Sequence, residues 1–212
     1  MQTDRLTVSA SVKVLAAWGA VHATRRGAET LGFAGAFSVL MANVSIEQLG
    51  PVGVATPISM LLLLPVVAGV AVGVALSNES DGLGLPDPAR AAVARAAWFI
   101  AWTGVAASVT ALAGFINDGV EPGAIVRNVV LYAALAAAAP LLRVPHLAWL
   151  LPIAYALVCV MFGYPPGQPG YYWWAVVMEP EASPAHLVAV TGCAAVALAC
   201  YTSRWPARMR QE

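Results

Sequence analysis

The chain has 212 residues, 60% of them hydrophobic and 10% charged, with eleven basic and eleven acidic side chains. A soluble domain carries about a quarter charged residues, so this composition excludes one and leaves a polytopic membrane protein. The zero net charge gives no reason to expect a nucleic-acid partner.

The N-terminal stretch does not read as a cleavable signal. Lys13 interrupts its apolar part and Arg25-Arg26 closes it, whereas a signal carries its charge first and a small-residue cleavage site last. Val8, Val12, Leu15, Trp18 and Val21 share one helical face of residues 5–25, with Lys13 opposite. This pattern predicts an amphipathic helix in the membrane interface, anchored by Trp18. A seventh, poorer span is the alternative.

Six apolar stretches follow, at about 29–47, 54–77, 92–116, 123–142, 147–164 and 186–203. A spanning helix needs about 20 such residues, roughly 17 at the least. The expected fold class is therefore all-α, six transmembrane helices behind an N-terminal interface helix (1–28), closed by a basic tail (204–212). Asn43 and Ser45 dilute the end of the first span, and Asn43-Val44-Ser45 also matches a glycosylation sequon. The second holds Pro57 and Pro65, which neighbouring helices can accommodate. Small-residue runs such as "AALAAAAP" and "GCAAVALAC" allow close helix approach.

With the N-terminus in the cytoplasm, ten of the eleven basic residues fall inside and only Arg127 outside. The positive-inside rule favours that orientation, with both termini cytoplasmic in a cell membrane. In the inner loop after the second span, Asp87 is placed to cap a helix beginning at Pro88. Arg90 and Arg95 lie on its wet end. The short link "RVPHLAW" makes the fourth and fifth spans an antiparallel pair.

No catalytic or metal-binding constellation emerges. His22 and His146 map inside and His186 outside, so they do not converge. Cys159, Cys193 and Cys200 sit in apolar runs without ligand spacing. The chain lacks a nucleophile elbow, a zinc-protease motif and a Walker A sequence, so it is not expected to be an enzyme or to need a cofactor. Arg127 and Asn128 do intrude about one turn into the fourth span. Arg127 either snorkels or pairs with Asp118 or Glu121, or lines an outer vestibule that Asn43 and Glu47 share.

Between the last two spans lies "GYPPGQPGYYWWAVVMEPEASPAH". Tyr164, Tyr171, Tyr172, Trp173 and Trp174 are residue types that settle at headgroup level. The breaker-free "YYWWAVVMEP" predicts a short helix on the outer leaflet, an interfacial belt or a re-entrant gate. Ser183 and Pro184 would then start the sixth span.

With residues 5–25, 80–95 and 164–185 in these three places, the layout resembles the membrane subunit of type-2 ABC exporters. Those subunits have an interface helix, a coupling helix between spans two and three, and short re-entrant helices between spans five and six. "RNVVLYAALAAAAPLL", "AWLLPIAYALV" and "YYWWAVVMEP" also look like phrases of integral membrane proteins from high-GC actinobacteria, some of which serve beside an ATPase. The resemblance implies a permease subunit that exports an amphipathic substrate with a separate ABC ATPase, as a homodimer or paired with a similar subunit. It assigns Lys13, Asp87, Arg90 and Arg95 to coupling. It places Arg127, Asn128, Asn43, Glu47, Tyr171, Tyr172, Trp173 and Trp174 at the outer vestibule or gate. Two alternatives are an accessory or immunity membrane protein without transport, and the substrate-capture subunit of an energy-coupling-factor importer.

Overall fold

The computed structural model describes residues 24–49, 52–77, 88–116, 119–141, 144, 147–165 and 170–203. Residues 1–23 of the expected interface helix, the inner loop with Asp87 and the basic tail lie outside the described residues. So does Lys13.

Helix α1 (Thr24–Leu40) leads into a hairpin of β1 (Ser45–Leu49) and β2 (Val52–Ser59). The short α2 (Met60–Leu63) and α3 (Pro65–Ser77) follow, then α4 (Pro88–Ala111) with a 3-10 turn at Leu112–Phe115. Next come α5 (Pro122–Leu141), α6 (Leu150–Phe162), a 3-10 turn at Val176–Met178, and α7 (Pro184–Thr202). Among the described residues three stretches are long and apolar enough to cross a membrane: Ala92–Phe115, Pro122–Ala139 and Pro184–Thr202. The protein is thus mostly helical and membrane-embedded. Met60–Leu76 and Leu150–Phe162 are shorter apolar helices.

The hairpin corrects two expected boundaries. Residues 29–47 were expected to be helical throughout, yet α1 stops at Leu40 and Ser45 onward is strand. The second helical stretch opens at Met60 rather than near 54. The cause is local: Val52, Val54, Thr56 and Ile58 favour extended backbone, and Pro51 and Pro57 cannot donate to a helix ladder. Ser45 pairs with Ser59 and Ile46 with Ile58, but the register shifts between Ile46 and Gln48. Pro57 falls in this irregular part of β2, where a missing N–H costs little. A two-stranded ribbon has open edges that lipid tails cannot satisfy, so it belongs at the membrane surface. Ser59 then caps α2, its Oγ accepting from Leu61 N at 3.3 Å.

Helix α5 is the hub, packed by α3, α4, α6 and α7. Two glycines bring α3 close to it. A Cβ at Gly69 would run into the Tyr132 side chain and stand 2.9 Å from its carbonyl carbon. One at Gly73 would lie 2.8 Å from Ala136 Cβ and 3.1 Å from Ala148 Cβ. Around them a core of Leu31, Ala71, Val72, Phe99, Trp102, Val129 and Tyr201 is buried.

The chain reversals gather at two ends. At one, Trp98 Nε1 donates to Ala75 O at 3.2 Å and Arg95 Nη1 to Thr202 O at 3.3 Å. At the other, the hairpin, residues 119–121 and residues 163–183 pack over the bundle. Ile58, Ala175, Val177 and Met178 are fully buried there beneath Tyr155, Tyr164 and Trp174.

Candidate functional site

The loop-capped end is organised by two adjacent polar residues near the start of α5. Arg127 is 1% exposed and Asn128 is fully buried. Burying a guanidinium is costly unless its protons find acceptors. They find them in the backbone of the 163–183 segment. Nη1 donates to Glu181 O and Nη2 to Glu179 O, both at 2.7 Å, and Nε donates to Asn128 Oδ1 at 3.1 Å. Such short bonds are typical of a charged donor. Asn128 Nδ2 in turn donates to Leu62 O at 3.0 Å and Val177 O at 2.8 Å. One dipeptide thereby ties α5 to the end of α2 and to the long connection.

Three further bonds secure that connection. Glu121 N donates to Pro180 O at 3.0 Å, and Ala182 N donates to Glu121 Oε2 at 2.8 Å. The Tyr155 hydroxyl donates to Trp174 O at 2.7 Å. These bonds explain a second correction. "YYWWAVVMEP" was expected to be a helix, but only Val176–Met178 forms a 3-10 turn. Carbonyls of Trp174, Val177, Glu179 and Glu181 are taken by side chains of α5 and α6. The bulky aromatic and β-branched residues are modest helix formers in any case.

On its outer side the same segment forms a cleft of about 400 Å³. Gly170, Tyr171, Tyr172, Trp173, Ala175, Glu179, Pro180, Glu181 and His186 line it. Gly170 turns the chain there with φ of 101°, a conformation that needs glycine. Tyr172 stacks on Trp174 at 6.0 Å between centroids, and Tyr171 tilts against Tyr164 at 5.5 Å. Burial pushes the Tyr171 phenol above its ordinary pKa, so it stays neutral. Trp173 is 81% exposed. His186 Nδ1 lies 2.5 Å from Glu179 Oε2, an ion pair whenever the imidazole is protonated.

The structure brings together some of the predicted site residues. Arg127 and Asn128 form the clasp, and Tyr171, Tyr172, Trp173 and Trp174 build the segment it holds. Asn43 is exposed in the turn after α1 and lines neither the clasp nor the cleft. Glu47 is in β1, its side chain outside the described part. At the opposite end Arg95 joins α4 to α7, while Arg90 lies in the first turn of α4 and its side chain is not described. The α4 start at Pro88 and the α7 start at Pro184 fall where the proline signals put them. Ser183 holds the N-cap position of α7, though its side chain makes no capping bond.

Sequence reasoning gave no site role to Tyr155, Glu179 or His186. Glu179 and His186 flank the Pro180 and Pro184 punctuation, and that proximity is the one signal that could have paired them. Among the described residues no group of three His, Cys, Asp or Glu is placed to hold a metal. No protein-family model matches the sequence, and no similar characterised protein or solved structure was found.

Proposed function

We propose that the chain is the permease subunit of an ABC-type exporter, half of a transport path for an amphipathic substrate such as a peptide, lipid or natural product. A separate ATPase subunit drives it, and a second copy or a similar subunit supplies the other half. It crosses the cell membrane six times, with both termini cytoplasmic and the clasped connection outside. Six helical stretches in the order of the six expected spans support this reading, counting α2 and α3 as one.

The observation that carries it is where the polar groups are spent. Arg127 and Asn128 turn their protons to backbone carbonyls within the chain. The buried hydroxyls of Ser38 and Thr110 bond the carbonyls of Ala34 and Ala106 on their own helices. Of the other buried hydroxyl residues among those described, Thr103 and Tyr132 have no hydrogen-bond partner, and two hydroxyls are little to line a polar route through one bundle. A path therefore runs along outward faces, between two subunits, with the aromatic segment closing its outer mouth. Asp87, Arg90, Arg95 and Lys13 sit on the cytoplasmic side, where an ATPase docks.

Co-purification from the native host in mild detergent tests this. A nucleotide-binding ATPase recovered in stoichiometric amount is the expected result. Reversing the charges of Asp87 and Arg90 together should abolish ATPase-linked export. Recovery of the chain alone under several conditions would overturn the exporter reading in favour of an accessory membrane protein.

A further inference from the structure

We propose that the cleft on residues 170–186 binds a small organic ammonium group, carried by a lipid headgroup or by a free amine. The inference is independent of the exporter reading, since it concerns what the cleft holds rather than what drives the chain.

The first ground is size. A cleft of about 400 Å³ falls within the range of small-molecule sites, roughly 300–1,000 Å³. The second is the character of its walls. Tyr171, Tyr172 and Trp173 present rings whose faces carry negative quadrupole density, and these attract a cation whose hydration is weak. Trp173 stands 81% exposed at this cleft while Val177 and Met178 nearby are fully buried. The segment packs Trp174 against its core and leaves Trp173 outward.

The third ground is charge. Glu179 and Glu181 line the cleft, and among the described residues no Lys or Arg does. The guanidinium of Arg127 bonds their backbone carbonyls rather than their carboxylates; its charge attracts the Glu179 carboxylate, and Glu181 is not among the charges that act on it. The Glu181 carboxylate has no hydrogen-bond or ion-pair partner among the described residues. The Glu179 carboxylate contacts His186 and feels the charge of Arg127, and beyond the His186 contact neither Glu179 Oε2 nor His186 Nδ1 is hydrogen-bonded among them. The start of α7 adds about half a positive charge, which does not offset the full negative charge of Glu181.

These features select among ligands. An anion would meet both carboxylates. A hard divalent cation needs several oxygen ligands, and aromatic faces provide none. An organic ammonium uses both kinds of wall at once: the carboxylates balance its charge and the rings cover its methyl or methylene groups. The position fits too, because His186 is in the first turn of α7, at the end of a membrane-crossing helix.

The test uses the full chain in lipid nanodiscs, titrated with choline and with its uncharged isostere 3,3-dimethylbutanol. Binding is read by calorimetry and by tryptophan fluorescence. In phosphatidylglycerol discs choline should bind saturably, at least tenfold tighter than the isostere. Trp173→Ala should weaken it at least tenfold, and at so exposed a position the fold is not at risk. Glu179→Gln with Glu181→Gln should abolish the preference for charge, with an unchanged unfolding midpoint as control. Loss of the choline signal in phosphatidylcholine discs would identify the headgroup as the natural source, and its persistence a free amine. Equal curves for choline and isostere, full affinity in Trp173→Ala, or no binding in either disc would overturn the proposal.

Discussion

Helices α5 and α7 are nearly equal in length and in apolar character, yet they do opposite jobs. In α5 67% of the spanning window is buried inside the protein, in α7 only 11%. The difference lies in what each sequence lets its neighbours do. The Ala-rich face of α5 meets Gly69 and Gly73 of α3, and its two polar residues reach out to bind other segments. Helix α7 buries Val190, Ala197 and Tyr201 but leaves Val188 and Val196 outward. Hydropathy says that a helix crosses. Small residues and placed hydrogen-bond donors say which crossing helix becomes the centre.

The largest test of that contrast is at the clasp. Arg127→Met removes three charged hydrogen bonds, orphaning the carbonyls of Glu179 and Glu181 and freeing Asn128 Oδ1. At about 1.5 kcal/mol or more per bond, the loss should be about 4–5 kcal/mol. Unfolding in mixed micelles would measure it, and limited proteolysis should cut residues 170–182 faster. Arg127→Lys should recover only part, since one ammonium cannot match the two-pronged geometry. If Arg127→Met unfolded like the wild type, α5 would owe its central place to packing alone.

Packing itself is tested by one substitution made twice. Gly69→Ala drives a methyl into Tyr132 of α5 and should cost about 1–3 kcal/mol. Gly192→Ala on α7 meets nothing within 4 Å. It should be neutral or stabilise by up to about 1 kcal/mol, the helix preference for alanine. Thermal unfolding midpoints of the two variants should therefore move in different directions or by clearly different amounts. A smaller effect belongs to Tyr155→Phe, which leaves Trp174 O without its donor and should cost about 1 kcal/mol.

What the sequence made legible follows from the range of each signal. Hydrophobic runs and the proline starts at Pro88 and Pro184 are local, and the helices begin there. The strand signal of Val52 to Ile58 was also local, but the apolar run continuing into "MLLLL" masked it. The polar pair at 127–128 stood out as costly in an apolar run, yet its partners are 49–66 residues away. No periodicity reports such partners. The same distance hid the fate of "YYWWAVVMEP", whose carbonyls were claimed by α5 and α6. The cleft lies within the single connection 170–186, so its aromatic and acidic residues were both visible in the sequence, and only their meeting at one cleft was not.

The smallest expected effect on stability asks the sharpest question about α7. Cys193 and Cys200 are exposed and seven residues apart, hence on one face of the helix, while Cys159 is buried. Cys193→Ser and Cys200→Ser should each change stability by less than about 0.5 kcal/mol. If α7 meets a second subunit, as the exporter reading requires of some outward face, a short bis-maleimide in native membranes should yield a cross-linked dimer. The double Ser variant should abolish it, leaving Cys159 unreactive. Labelling of both thiols by a lipid-soluble maleimide without any dimer would mean that α7 faces lipid. The subunit seam would then move to α4, whose Ile100 and Val105 are also exposed. Either result separates a helix that is peripheral because lipid surrounds it from one that is peripheral only within a single chain.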